Sequence, residues 1–291
     1  MTEKTSLKGL YTALVTPLVD GEINLNDFRR LISFQVEGGA DGIVVAGTTG
    51  ESPTLTGGEF ISLLETAVAN GKQMKVFAGV GSCSTTEAVR KTKIAHDIGV
   101  SGMLAVTPYY NRPTQSGLVE YYSRIADATD RPIILYSVPS RCGVEIAIDT
   151  ISTLRSRYSN IVGIKEATEN CSRVEKITDL MGEDFAVFSG NDSMTLPFMS
   201  LGAVGVVSVM SNITPHEMAR LVALAGAGDF RGALHLYRTM QPMISKLFIE
   251  TNPLPVKFLL EAKGIISSAQ CRSPLGELSE SSVAELSRLL D

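Results

Sequence analysis
The 291 residues predict an α/β fold, a (β/α)₈ TIM barrel carrying a C-terminal helical appendage. One unit repeats along most of the chain: a short run rich in Val and Ile, a polar or glycine-rich turn, then a longer stretch of helical period. The runs recur at near-even spacing, eight of them across roughly 200 residues, which suits a closed barrel better than an open sheet. No topological switch point interrupts the pattern.

In chain order the predicted strands are residues 11–15, 42–46, 76–79, 102–106, 132–136, 161–165, 186–189 and 205–209. Between the second and third, Phe60, Leu63, Leu64, Ala67 and Val68 recur at i, i+3, i+4, i+7 and i+8, one apolar helix face, with Thr56 as its N-cap. After Val209 the stretches 215–227, 230–247, 255–263 and 279–290 read as helices with no strand between them. One completes the barrel and the rest are appended. No low-complexity linker precedes them, so residues 1–229 are expected to form the barrel and 230–291 a helical region packed on it.

Composition narrows the function. A net charge of -5 with both signs interspersed argues against a nucleic-acid surface or a polybasic membrane patch. Residues 1–10 carry Glu3, Lys4 and Lys8 and lack the apolar core of a signal peptide, and no apolar stretch could span a bilayer. A cytoplasmic protein with a small-molecule partner is expected. The 4 cysteines, Cys83, Cys142, Cys171 and Cys271, show no C-x-x-C spacing and read as free thiols. The 3 histidines, His96, His216 and His235, fall in helical stretches without an H-E-x-x-H pair, so neither zinc catalysis nor a histidine triad has support.

In such a barrel, reactive side chains come from the C-terminal ends of several strands, which share one mouth. The second run ends in Gly47-Thr48-Thr49-Gly50-Glu51-Ser52, the fourth in Thr107-Pro108-Tyr109-Tyr110-Asn111, the fifth in Tyr136, the sixth in Lys165 and the seventh in Gly190. In the run 161–165, Val162 and Ile164 are expected to face the helices, and Ile161, Gly163 and Lys165 the barrel interior. A buried lysine with a lowered pKa is a nucleophile toward ketones; a lysine paired with Glu166, or snorkelling from the mouth, is the structural alternative. Residues 47–50 lack the G-K-[ST] of a phosphate loop, but the amides and hydroxyls of Thr48 and Thr49 suit a carboxylate, or else simply form a tight turn. Tyr136 is a proton carrier or a core tyrosine. Arg141 is a bidentate carboxylate anchor or a surface ion-pair residue. Tyr109 and Tyr110 read on their own as packing or interface aromatics.

These motifs resemble the pyruvate-dependent class I aldolase superfamily and, within it, the dihydrodipicolinate synthase family, over essentially the whole chain. The superfamily marks are Gly47 to Ser52, the tyrosine of Ile133-Ile134-Leu135-Tyr136, and Gly163-Ile164-Lys165-Glu166. Narrower marks are Pro108-Tyr109-Tyr110-Asn111-Arg112-Pro113 and Pro139-Ser140-Arg141, whose arginine the sugar-acid aldolases typically lack. The resemblance implies a Schiff base between Lys165 and pyruvate, whose enamine attacks aspartate semialdehyde, with no metal or organic cofactor. It implies proton relay by Tyr136, Thr48 and a neighbouring subunit's Tyr110. Thr48 and Thr49 would hold the pyruvate carboxylate, Arg141 the semialdehyde carboxylate, and Gly190 and Val207 would line the pocket. A homo-oligomer, dimer or dimer of dimers, follows. Ser137 and Cys142 depart from the usual Asn and Thr at positions that carry no chemistry. Ser52, Glu87 and Tyr109 match a lysine effector site, whereas Gly57, Phe60 and Cys83 replace polar residues usual there. The rivals are an aldolase for 2-keto-3-deoxy sugar acids or 4-hydroxy-2-oxoglutarate, discriminated by Arg141, and a non-catalytic pyruvate-binding barrel, opposed by intact Lys165 and Tyr136.

Overall fold
The computed structural model describes residues 7–290, so Glu3 and Lys4 of the N-terminal reading lie outside it. Eight parallel strands close into a barrel in chain order: β1 (Gly9–Ala13), β2 (Gly42–Val45), β3 (Lys75–Gly79), β4 (Gly102–Val106), β5 (Ile133–Ser137), β6 (Ile161–Glu166), β7 (Ala186–Ser189) and β8 (Gly205–Ser208). Closure runs through β1 and β8, with Gly9 opposite Gly205 and Tyr11 opposite Val207. The first strand starts earlier than its apolar run suggested. Val15 has already left the ladder, its amide bonded to the side chain of Asn212 at 3.2 Å.

Side-chain alternation divides the apolar residues into two cores. Tyr11, Val44, Phe77, Leu104, Phe188 and Val207 fill the barrel, with the Tyr11 ring edge-on to Phe77 and Phe188 at 5.5 and 5.3 Å between centroids. Ile43, Val45, Ile133, Leu135 and Ile164 join the larger cluster under the helices. Strand β6 corrects the expected facing. Ile161 packs under the helices and Val162 borders the interior, because the register slips between Ile133/Ile134 and Ile161/Gly163, leaving Val162 as the extra residue of a bulge. Beyond the bulge the expected alternation resumes, with Ile164 outward and Lys165 inward.

Helices α1 (Leu25–Glu37), α2 (Gly57–Asn70), α3 (Thr85–Ile98), α4 (Gln115–Ala126), α5 (Ile148–Arg157), α6 (Cys171–Met181), α7 (Thr195–Met199) and α8 (Pro215–Gly226) return the chain between strands. Thr56 caps α2 as expected and completes a capping box with Glu59. Phe60, Leu63, Leu64 and Ala67 are buried, but Val68 is 39% exposed and lies at the stripe's edge. Three further helices follow, α9 (Phe230–Lys246), α10 (Leu254–Ala262) and α11 (Glu280–Ser287). Met240, Ile244, Leu259 and Leu286 share one buried cluster with residues of the barrel helices. Among the small elements that the apolar pattern does not mark are a hairpin of Leu18–Val19 and Glu22–Ile23, turned by Asp20 and Gly21 at positive φ, and the single helical turn Pro139–Cys142. Among the described residues, no helix is long and apolar enough to cross a membrane.

Candidate active site
Lys165 and Tyr136 are register partners at the ends of β6 and β5, so both side chains enter the mouth from adjacent strands. The Lys165 Nζ lies 4.3 Å from the centre of the Tyr136 ring. Only 5% of Lys165 is exposed, and this desolvation lowers its pKa from 10.5 to about 8. The negative charge of Asp192 opposes the shift and Arg141 assists it. Glu166, the alternative partner, turns to the opposite face. Its carboxylate takes the Arg173 Nε at 2.9 Å and the Thr168 amide at 3.1 Å. Lys165 is therefore a buried amine without a hydrogen-bonded carboxylate among the described residues.

Burial raises the Tyr136 phenol to about 12, against the pull of a hydrogen bond with the Thr48 side chain and the charge of Arg141. The phenol is accordingly protonated at neutral pH and ready to donate. Thr48 belongs to a loop that leaves β2 between two non-glycine residues in left-handed conformation, Ala46 (φ 54) and Glu51 (φ 56). The loop is tied by the Glu51 amide on the Thr48 carbonyl at 3.0 Å, the Ser52 amide on the Gly47 carbonyl at 3.2 Å, and the Thr16 hydroxyl on the Gly50 carbonyl at 2.8 Å. Among the described residues, no acceptor meets the amides of Thr48 and Thr49.

Thr48, Thr49, Tyr136, Arg141, Lys165 and Gly190 line one cavity of about 180 Å³. This is smaller than the roughly 300–1,000 Å³ that drug-sized ligands occupy, and it suits molecules of a few carbon atoms. A Cβ at Gly190 would lie 2.7 Å from that of Ala167, so only glycine fits this wall. A neighbouring cavity of about 230 Å³ shares Thr48, Tyr136 and Arg141 and extends to Ser52 and Tyr109. Val207 lies in the barrel interior beside Tyr11, while Val209 reaches the cavity wall. Arg141 stands exposed on the Pro139–Cys142 turn. It forms no ion pair among the described residues and reaches only the Asn252 carbonyl, at 3.5 Å. Tyr110 is outside both cavities, 95% exposed and held at φ 74.

Asn252 and Asp192 carry no mark of the site in the sequence alone. Asn252, from the segment before α10, donates to the Thr49 hydroxyl at 3.0 Å and lines the cavity; its Oδ1 is buried and unpartnered among the described residues. Asp192 is buried behind Lys165, accepting from the Ser208 hydroxyl at 2.5 Å and from the amides of Val209 and Met210, each at 3.1 Å. The Asn-Pro step at Asn252 and the polar Gly-Asn-Asp that ends the seventh strand were the available signals.

At the expected effector position the side chains are engaged. Both Glu87 oxygens accept from Arg90, at 2.8 and 2.7 Å. The Lys91 ammonium, in a largely buried side chain, sits 3.5 Å from the Ser52 hydroxyl and 5.5 Å from the centre of the Phe60 ring. Among the described residues, no group of three or more His, Cys, Asp or Glu is placed to hold a metal ion.

The family model described as the dihydrodipicolinate synthetase family matches residues 6–291. The chain is 46% identical over 284 residues to the 4-hydroxy-tetrahydrodipicolinate synthase of Syntrophus aciditrophicus, covering 97% of each. It is 44% identical over 283 residues to the enzyme of the same name from Sulfurihydrogenibium sp., again covering 97% of each. Its structure superposes on the crystal structure of dihydrodipicolinate synthase from Aquifex aeolicus with a TM-score of 0.96 at 44% identity, over 98% of this chain and 97% of that one.

Proposed function
The chain belongs to the dihydrodipicolinate synthetase family, and from that premise and the geometry of the mouth we propose how it condenses pyruvate with aspartate semialdehyde in the diaminopimelate route to lysine. The observation that carries the proposal is the buried, carboxylate-free amine of Lys165 against the Tyr136 ring. The neutral amine adds to the C2 carbonyl of pyruvate. Tyr136 delivers a proton to the oxygen, which leaves as water, and an imine remains. Loss of a proton from C3 gives the enamine, whose carbon attacks the aldehyde of the semialdehyde. The amino group of the semialdehyde then adds to the imine carbon and expels Lys165, closing the ring. Throughout, the free amides of Thr48 and Thr49 hold the pyruvate carboxylate, and Gly190 leaves room for the substrate backbone.

Arg141 anchors the second carboxylate. Its freedom from any ion pair among the described residues, on the wall of the same cavity as Lys165, supports that role. Arg141→Ala is expected to weaken use of aspartate semialdehyde by on the order of 2 kcal/mol, about 30-fold in kcat/KM, with the pyruvate KM little changed. Initial rates with each substrate varied separately test this. Equal losses for both would remove Arg141 from its role, and preference for a sugar aldehyde over aspartate semialdehyde would favour the sugar-acid reading of the fold.

Tyr110 completes the relay from a second subunit, so the protein works as a cytoplasmic homo-oligomer of at least two chains. Its near-complete exposure in the single chain and its left-handed backbone, unfavourable for an aromatic residue, support a tip held out for a partner. Lysine does not regulate this enzyme strongly. The Glu87 carboxylate is already taken by Arg90, and a second ammonium group would meet the positive charge of Lys91. Inhibition by lysine is expected only above about 1 mM, an affinity weaker than about 4 kcal/mol. A titration giving strong inhibition well below that concentration would refute it.

A further inference from the structure
We propose that Glu51 and Lys257 are positioning residues: their buried ion pair is the clasp by which the C-terminal helices hold the Thr48–Thr49 loop in its carboxylate-binding shape. The proposal rests on the reading above that this loop takes the pyruvate carboxylate. Lys257 projects from α10 with its side chain 0% exposed, and its Nζ lies 2.5 Å from the Glu51 Oε1 and 2.6 Å from the Gln270 carbonyl. The second Glu51 oxygen accepts the Arg272 amide at 2.7 Å. Arg272 in turn grips both oxygens of Glu59, at 2.9 and 2.6 Å, and the Thr54 and Gly21 carbonyls at 3.0 and 2.6 Å. The appendage thus holds the loop through one carboxylate and the start of α2 through another.

Stability alone is a weak reason for such a pair, because the desolvation of two charges offsets most of their attraction and well-packed apolar residues often do as well. What the pair does hold is a backbone state. Glu51 sits at φ 56, a region that residues bearing a Cβ seldom occupy unless their surroundings enforce it. From there its amide bonds the Thr48 carbonyl at 3.0 Å. The peptide between Thr48 and Thr49 is planar, so pointing its carbonyl at Glu51 turns the Thr49 N–H the opposite way and leaves it unbonded. Release of Glu51 lets that peptide plane rotate, while Lys165 and Tyr136, on strands β6 and β5, stay in place.

Two measurements test the clasp. In Lys257→Met the pyruvate KM is expected to rise about tenfold or more, by a larger factor than kcat falls, with the aldehyde KM within about threefold, since the misplaced amides bind one substrate only. Circular dichroism establishes that the variant is folded. Glu51→Gln/Lys257→Met, which leaves no lone buried charge, serves if the single variant does not fold, and the same split is expected. A lower melting temperature with an unchanged pyruvate KM would overturn the proposal. The unaltered protein gives the reciprocal measurement, since a clasp that aids pyruvate must itself be tightened by pyruvate. Hydrogen exchange in residues 268–275 is expected to slow by about threefold or more on saturation with pyruvate, although these residues do not line the Lys165 cavity. Protection of residues 46–52 without protection of 268–275 defeats the clasp alone. Protection of neither defeats the reading of the loop as the pyruvate site as well.

Discussion

Lys165→Ala is expected to reduce turnover by about 10⁴-fold or more, because it removes the amine proposed to form the imine and leaves just binding and polar preorganisation. The wild-type rate at low pyruvate should carry the signature of the same amine. Below about pH 8 most Lys165 is protonated and cannot attack, so the rate climbs with pH and levels off above that value. The buried amine also bears on stability. Its pKa is lowered on folding, so the folded state binds the proton less readily than the unfolded chain. The resulting cost is fully present below about pH 8, fades as pH rises toward 10.5 and vanishes above it. Lys165→Met, which fills the same volume without the charge, is therefore expected to be more stable at pH 7, by on the order of 3 kcal/mol for a shift of this size. A melting temperature below that of the parent would contradict the assigned cost, and residual turnover within about a hundredfold of the parent would contradict the chemistry.

Tyr136→Phe is expected to lower kcat by about 10²–10⁴-fold while leaving the pyruvate KM nearly unchanged, since the hydroxyl acts on a proton and the ring is kept. The phenol is a proton donor over the whole neutral range because burial raises it to about 12, and the Thr48 side chain sets its direction. Retention of the ring also preserves the wall against which the Lys165 ammonium rests, at 4.3 Å from its centre. Imine formation, followed by rapid mixing with pyruvate, should be the slowed step. A variant with normal imine formation and slow later steps would move the role of Tyr136 to the aldehyde.

The barrel was legible because eight apolar runs alternate with helical stretches, and the mouth was legible because strand ends must converge there. Lys165, Tyr136, Thr48, Thr49, Arg141 and Gly190 were each named from a strand end or the loop after it, and one cavity holds them together. Facing within β6 was not legible. Ile161, Val162 and Ile164 are all apolar, so period gives no contrast, and the bulge at Val162 follows from pairing with β5. Asn252 was hidden for another reason: it meets Thr49 across 203 residues of sequence, from an appendage with no strand end to mark it. The Glu51–Lys257 pair, 206 residues apart, escaped in the same way. Tyr110 was placed at the site through the family resemblance, and a single chain leaves it on the surface.

The central claim is the covalent bond between Lys165 and pyruvate, and reductive trapping tests it most directly. Protein incubated with pyruvate and borohydride is digested, and the peptides are mapped by mass. The expected result is one carboxyethyl group per chain, carried by the peptide that contains Lys165, abolished in Lys165→Ala and formed more slowly below pH 8. An adduct on any other lysine, or none under conditions that support turnover, would contradict the assignment of the nucleophile.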